Sequence, residues 1–117
     1  MIKDSPSRRV ATFLLGGLLA FFLPGCRQAE RHEPLPITAE VGEGLYALKR
    51  CSSCHAIDGV GGKIGCDLSR VAKRREKDWM ALWLKDPQAV RPGTRMPDMG
   101  LDEDESRAIA EYLSTRR

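Results

Sequence analysis

The stretch Cys51-Ser52-Ser53-Cys54-His55 decides how this chain folds. Two thiols three residues apart, followed directly by an imidazole, suit the covalent capture of a haem. On one helical turn both sulfurs lie on the same side, where each can form a thioether with a haem vinyl group, and the histidine can place Nε2 on the iron. The pentapeptide therefore predicts a haem attachment site in which His55 is one axial ligand.

Two other chemistries also use paired cysteines. A redox-active dithiol expects a βαβ context and gives the following histidine no function. A zinc site needs a second pair of ligands at comparable spacing, but the remaining candidates are scattered singly, at Cys26, Cys66 and His32. Haem attachment is therefore the favoured interpretation of the motif.

Residues 1–25 resemble an export signal. Basic residues precede an uncharged apolar stretch over residues 11–23. That stretch is short for a membrane span, which needs about 20 residues. It closes on Leu23-Pro24-Gly25-Cys26, which resembles a bacterial lipoprotein cleavage box and predicts a lipid on Cys26; an uncleaved signal anchor is the alternative. Either form leads us to expect a periplasmic, membrane-anchored protein.

Residues 26–39 are predicted to be the lipidated cysteine and a linker, because prolines and charged side chains replace apolar ones there. The folded domain is predicted over residues 40–117, and a domain of this size is marginal by its own core. An attached haem would add a large apolar surface for packing. The whole chain has 19 Lys and Arg against 16 Asp and Glu, a balance that gives no indication of nucleic-acid binding.

Apolar spacing predicts three helices and no periodic strand. The first begins at the cap residue Thr38 and runs to the haem motif. Its expected buried face comprises Val41, Leu45 and Leu48. The second covers residues 78–85 and stops at Asp86-Pro87. Its apolar residues are Trp79, Leu82 and Trp83. The last begins at Asp102 with acidic residues that complement the helix dipole. Its apolar stripe comprises Ile109, Tyr112 and Leu113.

The loop Pro92-Gly93-Thr94-Arg95-Met96-Pro97 is stiffened by prolines and could hold a thioether over the second face of the iron. Methionine in a loop is more often a packing residue. Two prolines bracket Met96, however, and the iron needs a second partner. Met99, three residues later, is the rival ligand.

Over residues 40–117 the chain resembles a class I mono-haem c-type cytochrome of the small bacterial kind. The residues that carry the resemblance are Gly42, Tyr46, Tyr112 and Leu113, the haem motif, and the segments 83–87 and 92–97. It implies an all-α fold of about three to four helices wrapped around one covalently bound haem c. It also implies that Met96, not Met99, is the second axial ligand. The expected haem contacts are Cys51, Cys54, His55, Cys66, Leu68, Trp83 and Met96, with His55 and Met96 as the metal ligands.

The chain departs from this family at Gly65-Cys66-Asp67-Leu68, where proline usually stands in place of Cys66. In the family the carbonyl of that proline accepts a hydrogen bond from Nδ1 of the ligand histidine. Cys66 keeps the carbonyl but lacks the fixed φ of proline, so we expect a somewhat softer haem site. As a leftover thiol in an oxidising compartment, it is expected to be buried beside the haem.

Two protein ligands leave the iron without an open site, which implies a one-electron carrier and not an enzyme. A lipid would hold this carrier near membrane-bound redox partner proteins. One alternative is a haem subunit of a larger periplasmic oxidoreductase. Another is a haem-based ligand sensor, which requires a displaceable Met96. A basic stretch either steers an acidic partner or is plain solvated surface. Its residues are Arg70, Lys73, Arg74, Arg75 and Lys77, with Arg91 and Arg95 nearer the loop that carries Met96.

Overall fold

The computed structural model describes residues 33–117 of the chain. The predicted signal segment, Cys26 and His32 lie outside the described residues, and the domain boundaries remain predictions. Within the described part no helix is long and apolar enough to cross a membrane.

Four α-helices and one small hairpin make up the described fold. The helices are α1 (Ala39–Leu48), α2 (Lys77–Lys85), α3 (Pro87–Val90) and α4 (Glu103–Ser114). Short 3-10 turns lie at Cys51–Ser53 and Val71–Lys73, and the strands β1 (Ala56–Ile57) and β2 (Val60–Gly61) pair antiparallel. The predicted helical class with three to four helices is confirmed. The hairpin was not predicted, because strands of two residues carry no readable periodicity.

Helix α1 begins as predicted but buries a different face. The backbone N–H of Val41 donates to Thr38 Oγ1 at 3.3 Å, which confirms the cap. The buried residues are Gly42 and Tyr46, whereas Leu48 is 73% exposed, so the expected burial of Leu48 is wrong. The reason is tertiary: α1 turns its glycine toward α4, and this orientation rotates Leu48 into solvent.

The crossing of α1 and α4 depends on the missing side chain of Gly42. A Cβ atom built there would lie 1.9 Å from the carbonyl oxygen of Ala108 and 2.8 Å from Cβ of Tyr112. Beside this contact the rings of Tyr46 and Tyr112 pack at 5.6 Å between centroids, tilted by 53°. Around the crossing α4 is buried most deeply, with Ile109 fully inaccessible.

Local polar contacts fix the junction of α2 with α3 and the start of α4. Asp86 ends α2, and its carboxylate accepts from the N–H of Ala89 at 2.9 Å, which starts α3 at Pro87. Asp102 and Glu105 form a reciprocal capping box at the start of α4. Helix α2 packs on α4, and its buried residues are Met80 and Leu84. The α2–α3 corner thereby sets the position of the loop that follows it.

Candidate functional site

The paired thiols lie in a tight reversal after α1. Arg50 adopts a left-handed conformation with φ 58°, and the chain then enters the 3-10 turn at Cys51–Ser53. The N–H of His55 donates to the carbonyl of Cys51 at 3.0 Å, which closes the turn. Cys51 and Cys54 are free, partly buried thiols, and burial raises the pKa of the Cys51 thiol. Two unpaired thiols on one turn are what thioether formation requires, since each S–H adds across a vinyl double bond.

The ring of His55 is fixed through one of its two nitrogens. Nδ1 lies 2.7 Å from the carbonyl oxygen of Cys66, and this carbonyl can only accept, so Nδ1 carries the proton and donates. The lone pair of the imidazole is therefore on Nε2, the nitrogen available to a metal. The carbonyl contact that the resemblance implied is thus present, even though cysteine replaces proline.

Glycines allow the loop after the hairpin to lie directly on the haem motif. A Cβ atom at Gly65 would come within 2.4 Å of Cε1 of His55, and one at Gly62 within 2.1 Å of the carbonyl oxygen of Ser53. The same loop donates to the motif's backbone, from Gly62 to Ser52 at 2.8 Å and from Gly65 to Cys54 at 2.7 Å. The sequence reasoning missed these glycines. The high density of glycines just after His55 was the sequence signal that could have identified this close-packed loop.

The side chain of Cys66 lies beside the ring of His55. Its Sγ is 3.9 Å from Nδ1 of that ring, and the side chain is exposed. This exposure concerns the polypeptide alone, so burial of the thiol beside the haem stays a prediction. Two residues later Leu68 returns to the interior, where it is 8% exposed and belongs to the hydrophobic core.

A second part of the site forms around the loop that follows α3. The side chain of Gln88 bridges this loop, donating to the carbonyl of Thr94 at 2.8 Å and accepting from the N–H of Gly93 at 3.0 Å. Met96 and Met99 are both partly buried against the core. The sulfur of Met96 also accepts a hydrogen bond from the indole Nε1–H of Trp83 at 2.9 Å. Among the described residues this polar contact distinguishes Met96 from its rival.

Tyr46 joins the helix crossing to the haem motif. Its hydroxyl donates to the carbonyl oxygen of His55 at 3.3 Å. Burial raises the pKa of Tyr46 to about 12, because the phenolate form would be poorly solvated there. The crossing therefore holds the backbone of His55 as well as the core.

These donors fit a covalently bound haem. Two free thiols, an imidazole with its lone pair on Nε2 and a partly buried thioether are the groups that tether and ligate such a cofactor. Over residues 33–117 no cluster of three or more His, Cys, Asp or Glu side chains could hold a metal ion.

Comparison with known proteins agrees with this chemistry. The chain is 30% identical over 90 residues to cytochrome c oxidase subunit 2 of Bacillus subtilis (strain 168), an alignment that covers 64% of this chain. The chain spans about a quarter of the length of that curated relative (25%). No solved structure matches it. Residues 39–117 match the Cytochrome c family. With this match over most of its length and the paired thiols and histidine in place, the chain belongs to the cytochrome c family, whose haem c is covalently bound.

Proposed function

We propose that this cytochrome is a one-electron carrier whose iron is ligated by His55 and Met96. The observation that carries the proposal is the hydrogen bond from His55 Nδ1 to the Cys66 carbonyl at 2.7 Å, which presents Nε2 to the metal. Met96 also supports it, because its loop is held by Gln88 and its sulfur by Trp83.

Each residue of the site has a distinct role in this proposal. The haem, when bound, supplies a one-electron couple, and ligation by histidine and methionine raises its reduction potential relative to ligation by two histidines. Cys51 and Cys54 tether the macrocycle. The Cys66 carbonyl orients the imidazole and increases its basicity. Met96 would hold the iron through its sulfur and keep water and small ligands away, and the buried side chain of Leu68 would contribute to the apolar wall.

Absorption spectra of the matured protein and of Met96→Ala test the ligation. We expect the wild type to show the weak red band of a methionine–iron(III) bond and not to bind carbon monoxide when reduced. Met96→Ala should lose the band and bind carbon monoxide, because an axial position opens. Met99→Ala is the matched control and should keep the wild-type spectrum. A Met96→Ala variant indistinguishable from wild type would overturn the proposed ligand set.

The membrane tether is a further part of the proposal, and its support comes from the sequence alone. The apolar segment and the box that ends at Cys26 are typical of bacterial lipoproteins. Mass spectrometry of the matured protein tests the tether: we expect a chain that begins at Cys26 and carries the added mass of acyl chains there, and a Cys26→Ser variant without that added mass. A wild-type chain that keeps residues 1–25 and carries no acyl chain would favour an uncleaved anchor.

The basic stretch gives limited support to partner steering. Arg74 donates to the carbonyl of Asp67 at 2.8 Å, and Lys77 pairs with Glu111 at 2.8 Å. These contacts favour the solvated-surface interpretation for both residues. Arg70 and Lys73 are exposed and are better candidates for an acidic redox partner. In Arg70→Glu/Lys73→Glu we expect slower electron transfer with a weaker dependence on ionic strength.

A haem subunit of a larger oxidoreductase is the second candidate, favoured by the similarity to an oxidase subunit. Purification from native membranes in mild detergent distinguishes the subunit hypothesis from the carrier hypothesis. Elution of the cytochrome with a stoichiometric larger complex would favour the subunit. Elution alone, together with electron exchange with several soluble redox proteins, would favour the carrier. A ligand sensor is disfavoured by the contact that holds the Met96 sulfur.

A further inference from the structure

A row of side chains leads from the surface to the sulfur of Met96. Trp79 and Trp83 lie four residues apart on α2, and their rings are stacked with centroids 5.2 Å apart and planes inclined by 17°. At the outer end the guanidinium of Arg75 lies 4.4 Å from the centroid of Trp79. At the inner end Nε1 of Trp83 lies 2.9 Å from Sδ of Met96.

We propose that Trp83 is a positioning residue for the distal iron ligand, and that its N–H tunes the potential of the haem. This inference rests on the proposed ligation by Met96. The direction of the N–H bond is set by the plane of the indole ring. Stacking on Trp79 fixes that plane, and Arg75 covers the outer face of Trp79 through a cation–π contact.

The effect on the iron follows from electrostatics. A thioether sulfur has two lone pairs, so Met96 can donate one to the metal and accept a hydrogen bond with the other. The positive end of the indole N–H dipole then lies beside the ligand atom, where it disfavours the extra positive charge of iron(III). Both groups are partly buried, so water screens this dipole incompletely. The contact should therefore raise the reduction potential.

The same contact should also keep the axial position closed. An external ligand can reach the iron only after the Met96 sulfur has moved away, and that movement breaks the hydrogen bond to Trp83. Ordinary packing of an aromatic row makes a different prediction. It would lower the free energy of unfolding when disrupted but would leave the potential and the ligand affinity unchanged.

Trp83→Phe in the haem-loaded protein tests the inference, because phenylalanine keeps a smaller aromatic ring in the stack and removes the N–H donor. At a fixed ambient potential, the ratio of reduced to oxidised protein should fall about three- to tenfold, where tenfold corresponds to about 59 mV for one electron. Imidazole affinity for the oxidised protein should rise by a similar factor. Trp79→Phe is the matched control, since it removes the same volume from the stack but keeps an aromatic ring against Trp83 and the Trp83 N–H, and both readouts should change much less than in Trp83→Phe.

The outcomes separate this inference from the ligation on which it rests. A wild-type spectrum without the methionine band would refute Met96 ligation itself. A wild type with the band and a Trp83→Phe variant with unchanged potential and imidazole affinity would refute the role of Trp83. If that variant fails to retain haem, the exchange of the indole N–H protons with solvent in the wild type tests the hydrogen bond instead. Slower solvent exchange of the Trp83 indole N–H than of the Trp79 N–H supports the hydrogen bond, and equally fast exchange overturns it.

Discussion

Cys66 serves the site through its backbone carbonyl. Its carbonyl fixes the imidazole of His55 at 2.7 Å, while its side chain is exposed. The sequence predicted the carbonyl contact, because any residue supplies a carbonyl at this position. Burial of the thiol beside the haem stays a prediction, because the burial of a loop side chain depends on what packs against it.

Cys66→Pro should therefore preserve the site. Proline retains the carbonyl and restricts φ, which lowers the entropy of the unfolded chain and should raise stability by up to about 1 kcal/mol. Thermal unfolding measures this change, and the reduction potential reports on the histidine. Cys66→Ser is the control for loss of the thiol alone. A large loss of stability in Cys66→Pro but not in Cys66→Ser would mean that the loop needs a φ that proline cannot adopt.

Tyr46 makes the stability of the fold depend on pH in the alkaline range. The folded state raises its pKa to about 12 from the ordinary value of 10.0, so it holds the phenol proton more tightly than the unfolded chain does. The contribution of Tyr46 is therefore complete below about pH 10 and is lost as pH rises toward about 12. Tyr46→Phe should flatten the fall of the unfolding free energy over this range. Urea unfolding at a series of pH values measures the slope, and parallel curves for both proteins would contradict the assignment.

The approach of α1 to α4 is the element-level feature on which the site depends. Gly42→Ala places a Cβ atom on the backbone of Ala108, which cannot yield without moving a whole helix. We expect a loss of about 3 kcal/mol or more in the free energy of unfolding. Gly44→Ala lies on the same helix with nothing within 4 Å of the added atom.

Because alanine is the better helix former, Gly44→Ala should stabilise the protein by about 0.5–1 kcal/mol. Denaturant unfolding of both variants gives the sign of each change in the free energy of unfolding. Equal effects in the two variants would mean that helix propensity, and not the close crossing, decides the outcome at these positions.

The sequence predicted helix starts better than it predicted helix faces. Thr38 and Asp102 were identified because a cap depends on residues within one turn. The exposed faces at Leu48 and Leu82, which is 61% exposed, were not foreseen. Which apolar residue is buried depends on the partner helix, and Gly42 decides that for α1. Met80 was also missed, because periodicity over one short helix leaves several orientations open.

At the scale of the whole molecule, the haem attachment site packs directly against the core. Cys51, Met96 and Trp79 all pack against the cluster that contains Tyr46 and Leu68. A domain this small has little apolar surface to spare, so we expect the attached haem to complete its core. The candidate site could be predicted from the haem motif, but the distal contacts could not, because Trp83 and Met96 meet only in the folded chain.

Cys51→Ala/Cys54→Ala should therefore lose cooperative folding together with the haem. Circular dichroism during heating should show no sharp transition for this variant. Cys66→Ala is the matched control, because it removes a thiol outside the motif and should keep both the haem and the transition. A sharp transition near the wild-type temperature in the double variant would mean that the polypeptide folds without its cofactor.

The glycine loop that covers the haem motif sets the order of events during maturation. In the folded chain the carbonyls of Ser52 and Cys54 are already bonded to the amides of Gly62 and Gly65. An enzyme that binds this segment to attach the haem can reach its backbone only while the loop is still open. Because the domain is expected to fold only with its haem attached, the loop closes over the motif after attachment and then covers the backbone that the enzyme had to reach.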